Sequence, residues 1–408
     1  MIPRGRPDIA WTDLCAALAG GLVPGDYARC RSRAATAFRA GENCLPCLSV
    51  RSGWDLVLRA TAWPRGSELI VSAINLDDML RIARHHGLVP VPVDVDPTTL
   101  AVDKTELESA VTGRTRAILV AHLFGSRMPM DDIVATAERH KLFLVEDCAQ
   151  AFSGDGFRGH HASDLCLFSF GPIKTRTALG GALLRFRDPK LHRRVKALES
   201  CYPLQGRLEF LRRVAVFAML KALSSRALFS PFALACRCLG IDYDRLVQNT
   251  VRGFAGESLI DRIRRRPALL LLRLLARRLQ AAGPADIAAR VEYARRLTNC
   301  LPESAVVGGD CDEHTHWVIP IRAADPVKLI ARLRGAGFDA TRAASRLCAV
   351  SRDDALPPPP AAAALLEQIV YLPMWPQMSE RDLSRLTEII VADALDHRTS
   401  PVERAPSP

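Results

Sequence analysis

An acid, a serine and a lysine follow one another at the ends of two apolar runs. Asp147 ends the run in Val145-Glu-Asp-Cys-Ala-Gln-Ala, Ser169 ends Leu167-Phe-Ser, and Lys174 comes five residues later in a loop closed by Gly180 and Gly181. Upstream, Arg51-Ser-Gly-Trp opens a helical stretch, where exposed backbone N–H groups can hold a phosphate. Together these parts meet the needs of pyridoxal phosphate. A lysine forms the Schiff base, and a carboxylate keeps the pyridine nitrogen protonated so that the ring accepts electrons. Hydroxyls and helix N-terminal amides bind the phosphate. Taken singly, Asp147 reads as a strand-end cap and Lys174 as a solvated loop charge; their order and spacing carry the signal.

The elements that must position these residues alternate. Residues 68–72, 89–94, 115–122, 142–147, 164–170 and 181–186 read as short buried strands. Helical spacing runs over 77–86, 107–111 and 130–140. Strands alternating with helices predict an α/β fold with a mainly parallel sheet covered on both faces. Functional groups then collect at the carboxyl ends of the strands. Residues 1–50 read as helix and loop, and residues 190–300 as Arg-rich and helical.

Within that helical region, Val214 to Gly240 is unusually apolar. A bilayer span needs about 20 apolar residues. Lys221, Arg226, Pro231 and Arg237 interrupt the run, so two short amphipathic helices are expected. Such a pair suits peripheral contact with an anionic membrane, a buried position or a subunit interface. Residues 300–395 read as a smaller α+β unit, with strands at 316–321 and 369–372 and helices at 326–337 and 379–395, Ser379 being the N-cap. Pro357 to Pro360 reads as an exposed extended loop. The expected organisation is a large domain over 1–195, a helical apolar and Arg-rich connection over 196–285, a small C-terminal α+β domain over 286–396 and a disordered tail over 397–408.

The chain has 408 residues, 49% hydrophobic and 24% charged. That is room for two or three domains at about 150 residues each, and too apolar a chain to be mostly disordered. The net charge of +11, from 55 Lys+Arg against 44 Asp+Glu, favours anionic small molecules or surfaces. No RNA- or DNA-binding pattern accompanies it, so no nucleic-acid partner is expected. Met1-Ile-Pro-Arg-Gly-Arg-Pro lacks the apolar core of a secretory signal, which points to the cytoplasm or the inner face of a membrane. The 12 cysteines, Cys44-x-x-Cys47 and Cys236-x-Cys238 among them, do not make a zinc-ligand set, so reduced thiols and no metal are expected. Among the histidines, His122 at a strand end is a candidate neighbour of the cofactor, and His160-His161 read as solvated loop residues. His85-His86 should interact with a helix C-terminus, and His316 should lie near the substrate or pair within its strand.

The sequence resembles the DegT/DnrJ/EryC1/StrS family of sugar aminotransferases. The resemblance rests on Ile2-Pro-Arg-Gly-Arg-Pro, Ser52-Gly53, Pro92-Val-Asp-Val-Asp-Pro, Thr115-Arg-Ala-Ile-Leu-Val-Ala-His-Leu-Phe-Gly, Val145-Glu-Asp-Cys-Ala-Gln-Ala, Ser169-Phe-Gly-Pro-Ile-Lys and Tyr371-Leu-Pro-Met-Trp-Pro-Gln-Met-Ser. It implies the fold type I architecture of pyridoxal-phosphate enzymes, with sites formed between the subunits of a homodimer. By position, Lys174 would carry the cofactor and shuttle the proton, and Asp147 would pair with the pyridinium nitrogen. Gln150 would contact the ring hydroxyl side, while Ser169, Ser52 and Gly53 would hold the phosphate. Related dehydratases carry His in place of the lysine, so Lys174 argues for transamination.

Several positions depart from the family pattern. Leu76 stands where an aromatic residue usually covers the ring, with Trp54 as a substitute to test. Gly171 replaces a common His, and Thr175-Arg-Thr-Ala-Leu-Gly-Gly is one residue shorter than usual and lacks an acid. The Asn-Tyr-Arg segment that reaches a neighbouring subunit's phosphate is missing, with Asn249 or Arg252 as stand-ins. The expected activity is amino transfer, from glutamate, to a keto-sugar, nucleotide-linked or otherwise activated, in polysaccharide or secondary-metabolite biosynthesis. The rivals are a cofactor-binding regulatory or membrane-associated relative with little catalysis, and an aminotransferase for a lipid-linked substrate.

Overall fold

The computed structural model describes residues 1–241, 258–280, 285–342, 346–353 and 356–399. Its main sheet contains β1 (Cys44–Cys47), β2 (Glu68–Ser72), β4 (Val89–Val93), β5 (Thr115–Ala121), β6 (Phe143–Asp147), β7 (Leu165–Ser169) and β8 (Ala182–Phe186). A three-residue β3 (Ile74–Leu76) lies outside that sheet. The strand order is β1-β8-β7-β6-β5-β2-β4. The β4-β2-β5-β6-β7 run is parallel, β8 runs antiparallel to β7, and β1 pairs antiparallel with β8 and so points the same way as the parallel run. In register, Ala121 lies opposite Asp147 and Asp147 opposite Leu167, so the carboxyl ends of β5, β6 and β7 sit side by side.

Both faces of the sheet are covered, which is why its strands read as continuous apolar runs. On one face Leu69, Leu119, Val145 and Leu167 pack under α3 (Val50–Thr61), α4 (Asp77–His85) and α7 (Pro189–Ser200), with Trp54 at the centre. On the other, α5 (Lys104–Ser109) and α6 (Asp131–His140) cover Ile118 and Leu144. Beside them α1 (Trp11–Ala19), α2 (Tyr27–Phe38), α8 (Arg207–Leu223) and α11 (Leu269–Gln280) cover Phe168 and Leu183. The helices α9 (Arg226–Cys238) and α10 (Leu259–Ile263) lie between α8 and α11 in sequence.

The C-terminal layer pairs β9 (Ile319–Arg322) with β11 (Ile369–Leu372) and packs them against α12 (Ala285–Thr298), α13 (Pro326–Gly335) and α15 (Glu380–Thr399). Ile2 lies in this core, so the first residues pack with the end of the chain. β10 (Leu347–Ala349) pairs with β3, and α14 (Pro360–Gln368) packs beside β10.

The structure departs from the sequence reading in several places. Residues 44–47 form β1, an edge strand, where Pro46 is tolerated because an edge needs fewer ladder bonds. His316 precedes β9 with a φ of +46° and does not pair within a strand. Pro360 opens α14 as a first-turn proline, so the proline run ends in a helix. α15 continues to Thr399, beyond its expected end; residues 400–408 lie outside the described residues. Asn249 and Arg252 also lie outside them.

His86 does not cap its helix through the side chain. Its Nε2 meets Asp55 Oδ1 at 2.9 Å, in a network with Arg264 and Tyr202. Burial alone would raise the Asp55 carboxyl, but these partners hold it well below the usual range. The apolar stretch does form two helices, α8 and α9, meeting at 97°. Among the described residues no single helix is long and apolar enough to cross a membrane; the bent pair meets that test only when taken together.

Candidate active site

Asp147 closes β6, and its Oδ1 accepts the Ala149 N–H at 2.9 Å. It is 4% exposed, and burial raises its pKa. No basic side chain hydrogen-bonds to it among the described residues. Lys174 sits in the loop after β7, where Lys174 N–H donates to Gly171 O at 3.0 Å. Burial brings its amine down to about 7; the Asp147 charge opposes that shift and the Arg51 charge adds to it. Two groups of opposite sign thus meet at adjacent strand ends, each displaced toward neutrality.

Lys174 Nζ lies 3.8 Å from the centre of the Trp317 ring. Trp317 comes from the C-terminal layer and donates Nε1–H to Ile173 O at 2.9 Å. Its approach depends on Gly125, whose φ is +108° and where a Cβ would stand 2.4 Å from Trp317 N. Gln150 supports the same turn: its Oε1 accepts from Phe124 N at 2.8 Å, holding residue 124 at a φ of +57°. Arg290 of α12 donates to Thr175 Oγ1 (3.0 Å) and Thr315 O (2.9 Å), joining the lysine loop to the segment that carries Trp317.

The phosphate candidates lie at the start of α3 and the end of β7. Ser49 is the N-cap: its Oγ accepts from Ser52 N at 3.1 Å and lies 2.9 Å from Ser52 Oγ. Ser169 Oγ accepts one long bond, 3.4 Å, from Gly171 N. Gly53 has a packing reason of its own, since a Cβ there would lie 2.6 Å from the Leu184 methyls. Arg51, bonded to Asp78 at 2.6 Å, projects its charge onto both Asp147 and Lys174.

These residues fit pyridoxal phosphate. A buried carboxylate without a cationic partner suits a protonated ring nitrogen. An amine brought down to about 7 suits covalent attachment, and the capped α3 terminus with two serine hydroxyls suits a phosphate.

Other expectations change. Trp54 is fully buried and donates to Met79 O at 3.2 Å, so it does not replace the missing aromatic over the ring. Leu76 is half-buried on β3. His122 is committed elsewhere: its Nε2 meets Glu146 Oε2 at 3.0 Å and its Nδ1 accepts from Met128 N at 3.0 Å. Glu146, opposite in side-chain direction to Asp147 along β6, also takes bonds from His160 N and Ser163. Burial would raise Glu146, but His122 and these donors bring it to about 2. His122, Glu146 and Cys148 could geometrically share a cation, yet internal hydrogen bonds already occupy Glu146 and His122. The Cys44 and Cys47 thiols are pushed up by burial, the former to about 12, and all twelve cysteines are free.

Lys174 opens onto a cavity of about 470 Å³. Residues 3–8 of the N-terminal segment, α8, α9, Arg290, Trp317 and the stretch after β11 line it. Sequence reasoning missed Trp317, Arg290 and the N-terminal wall as site residues. Their approach depends on contacts across more than 100 positions, and no local pattern announces it.

Residues 16–207 match the DegT/DnrJ/EryC1/StrS aminotransferase family. This stretch belongs to that family. It contains every residue of the Ser52, Gly53, Asp147, Gln150, Ser169 and Lys174 set. Over 172 residues the chain is 37% identical to an L-glutamine:2-deoxy-scyllo-inosose aminotransferase of Streptomyces lividus, covering 41% of this chain and 40% of that protein. The match thus spans about two-fifths of that curated relative. The whole fold is shared with the sugar aminotransferase CalS13 from Micromonospora echinospora, at a TM-score of 0.67 and 21% identity, covering 96% of this chain and 100% of that one. The aminotransferase TlmJ from Streptoalloteichus hindustanus gives a TM-score of 0.69 at 19% identity, covering 98% and 100%. Outside the family stretch, therefore, the likeness is one of fold.

Proposed function

We propose that the protein is a pyridoxal-phosphate-dependent aminotransferase that moves an amino group from glutamate or glutamine onto a keto-sugar or similar cyclic carbonyl. The observation that carries this reading is the pair of opposed shifts at adjacent strand ends, Lys174 down to about 7 and Asp147 up. Catalytic sites gather such displaced groups. The bound cofactor would supply an electron sink for the carbon losing its proton. Asp147 would hold the ring nitrogen's proton, and Ser52, Gly53 and Ser169 would hold the phosphate. Gln150 would present its amide beside the ring while its carbonyl fixes Phe124. Lys174, with an amine near neutrality, would take the proton from the donor carbon and return it across the same face. Trp317 limits where that amine can swing.

A homodimer with the sites near its interface is the assembly we propose, in the cytoplasm. A nucleotide-linked acceptor and a role in polysaccharide or secondary-metabolite biosynthesis are the finer versions of the reading. The test is the visible absorbance of purified protein with pyridoxal phosphate, before and after L-glutamate or L-glutamine. A visible band that forms and then moves to shorter wavelength on adding the donor supports the reading, and Lys174→Ala should abolish the band. A band that ignores every amino donor would favour the regulatory, cofactor-binding alternative.

A further inference from the structure

The wall that α8 and α9 build into the cavity does not suit a nucleotide. Phe217, Leu220 and Leu223 of α8 and Phe229 and Phe232 of α9 line it. Phe217 is 3% exposed and Phe229 7%, so solvent barely reaches this part of the wall. Lining a cavity with apolar side chains forgoes packing, a cost that a well-packed core avoids. Polar groups come from the lysine loop and α12, with Lys174, Thr175 and Arg290, and also from Arg4, Arg6 and Asp8 of the N-terminal segment and Asp339 and Thr341 of the C-terminal layer. Two of the basic side chains along the cavity, Arg4 and Arg290, make hydrogen bonds within the chain. Arg4 forks onto Asp339 (2.9 Å from both Nε and Nη2), and Arg290 donates to Thr175 and Thr315. Arg6 lies 4.0 Å over the Trp375 ring. A diphosphate bridge would need several donors directed at it. The cavity instead sets an apolar wall of α8 and α9 beside a polar surface that includes Lys174.

We infer that the acceptor carries its carbonyl on a polar ring joined to an apolar group, the ring at Lys174 and the apolar group against α8 and α9. This rests on the aminotransferase reading for the word acceptor, but the binding preference can be measured without turnover. Burying one methylene strengthens binding by about fourfold. The cavity volume lies in the range of sites that enclose most of a small organic ligand.

The test is calorimetric titration of the cofactor-loaded protein with monomeric n-octyl β-D-glucopyranoside, methyl β-D-glucopyranoside and uridine diphosphate glucose. The octyl glucoside should bind at least about tenfold more tightly than the methyl glucoside. The partly exposed wall residues allow a folded variant: Leu223→Gln with Phe232→Gln should remove that preference and leave methyl glucoside binding unchanged. Leu228→Gln with Leu234→Gln is the control, since both side chains point outward, 50% and 61% exposed. It should change nothing. Tighter binding of uridine diphosphate glucose than of octyl glucoside would overturn the inference. So would equal binding of the two glucosides, or an octyl preference lost with the outer pair and kept with the inner pair. The amino-donor half-reaction, followed by absorbance on the same samples, separates the two readings. If it fails while the octyl preference holds, the enzyme reading falls and the apolar binding cavity stands.

Discussion

At the scale of single residues, burial displaces Lys174 and Asp147 in opposite directions, and each displacement has a stability cost of definite sign. The Lys174 amine titrates near 7 in the folded chain against 10.5 when unfolded. Between those values only the unfolded chain binds the proton, so this residue makes the protein more stable as pH rises from 7 to 10.5. Below pH 7 its full cost is present. Lys174→Met should therefore stabilise the cofactor-free protein most at or below pH 7, and the gain should fade toward pH 10.5. Denaturant unfolding of both proteins across that range measures the difference, and a gain independent of pH would show an ordinary solvated lysine. For Asp147, burial raises the carboxyl, so at neutral pH the buried charge costs stability. Asp147→Asn should raise the melting temperature of the cofactor-free protein, a gain of about 0.5–2 kcal/mol, while turnover falls. Lower stability together with lower turnover would mean that Asp147 holds the fold, not the ring nitrogen.

At the scale of elements, the glycine after Ser52 serves helix packing at least as much as any ligand. α3 crosses β8 so closely that a Cβ on Gly53 would enter the space of Leu184. Gly53→Ala gains about 1 kcal/mol in helix propensity but pays about 1–3 kcal/mol in overpacking, so net loss is expected. In a Leu184→Ala background the clash is gone, and the same substitution should become neutral or stabilising. A double-mutant cycle by denaturant unfolding reads this coupling directly. The same distinction explains what the sequence could tell. Asp147, Ser169 and Lys174 sit in or just after regular strands, and local periodicity located those strands. β3 and β10 are three residues each and exist only through pairing across 271 positions, Leu347 with Leu76. β1 is four residues with a proline inside, a pattern that propensity assigns to a turn. Trp317 enters the site because Gly125 lets its backbone come close, a contact no spacing rule encodes.

At the scale of the whole molecule, the N-terminal segment ties the two layers together while forming one wall of the cavity. Ile2 N–H donates to Gly337 O at 2.7 Å, and Met374 N–H donates to Arg4 O at 2.9 Å, both in the C-terminal layer. A few residues on, the Asp8 carboxylate accepts from Arg176 N at 2.6 Å, beside the lysine loop. It also pairs with Arg278 of α11 at 2.8 Å. The segment is thus fixed at both ends by charged hydrogen bonds. At the first end Asp339 is 1% exposed, and Arg4 supplies its guanidinium. Removing one partner of a buried pair leaves the other charge poorly compensated, at a cost of about 3–5 kcal/mol. Arg4→Ala should therefore lower stability by about 3 kcal/mol, less to the degree that water reaches Asp339. The loss should also be local in origin. Native-state hydrogen exchange should speed first at residues 2–4 and 337–341, while the amides of β5 and β6, in the middle of the main sheet, keep exchanging only by global unfolding. Arg4→Lys should restore part of the stability, because an ammonium can answer the charge but cannot fork onto both carboxylate oxygens. Equal acceleration everywhere in Arg4→Ala would mean that the segment is an integral part of the core and not a tie between layers.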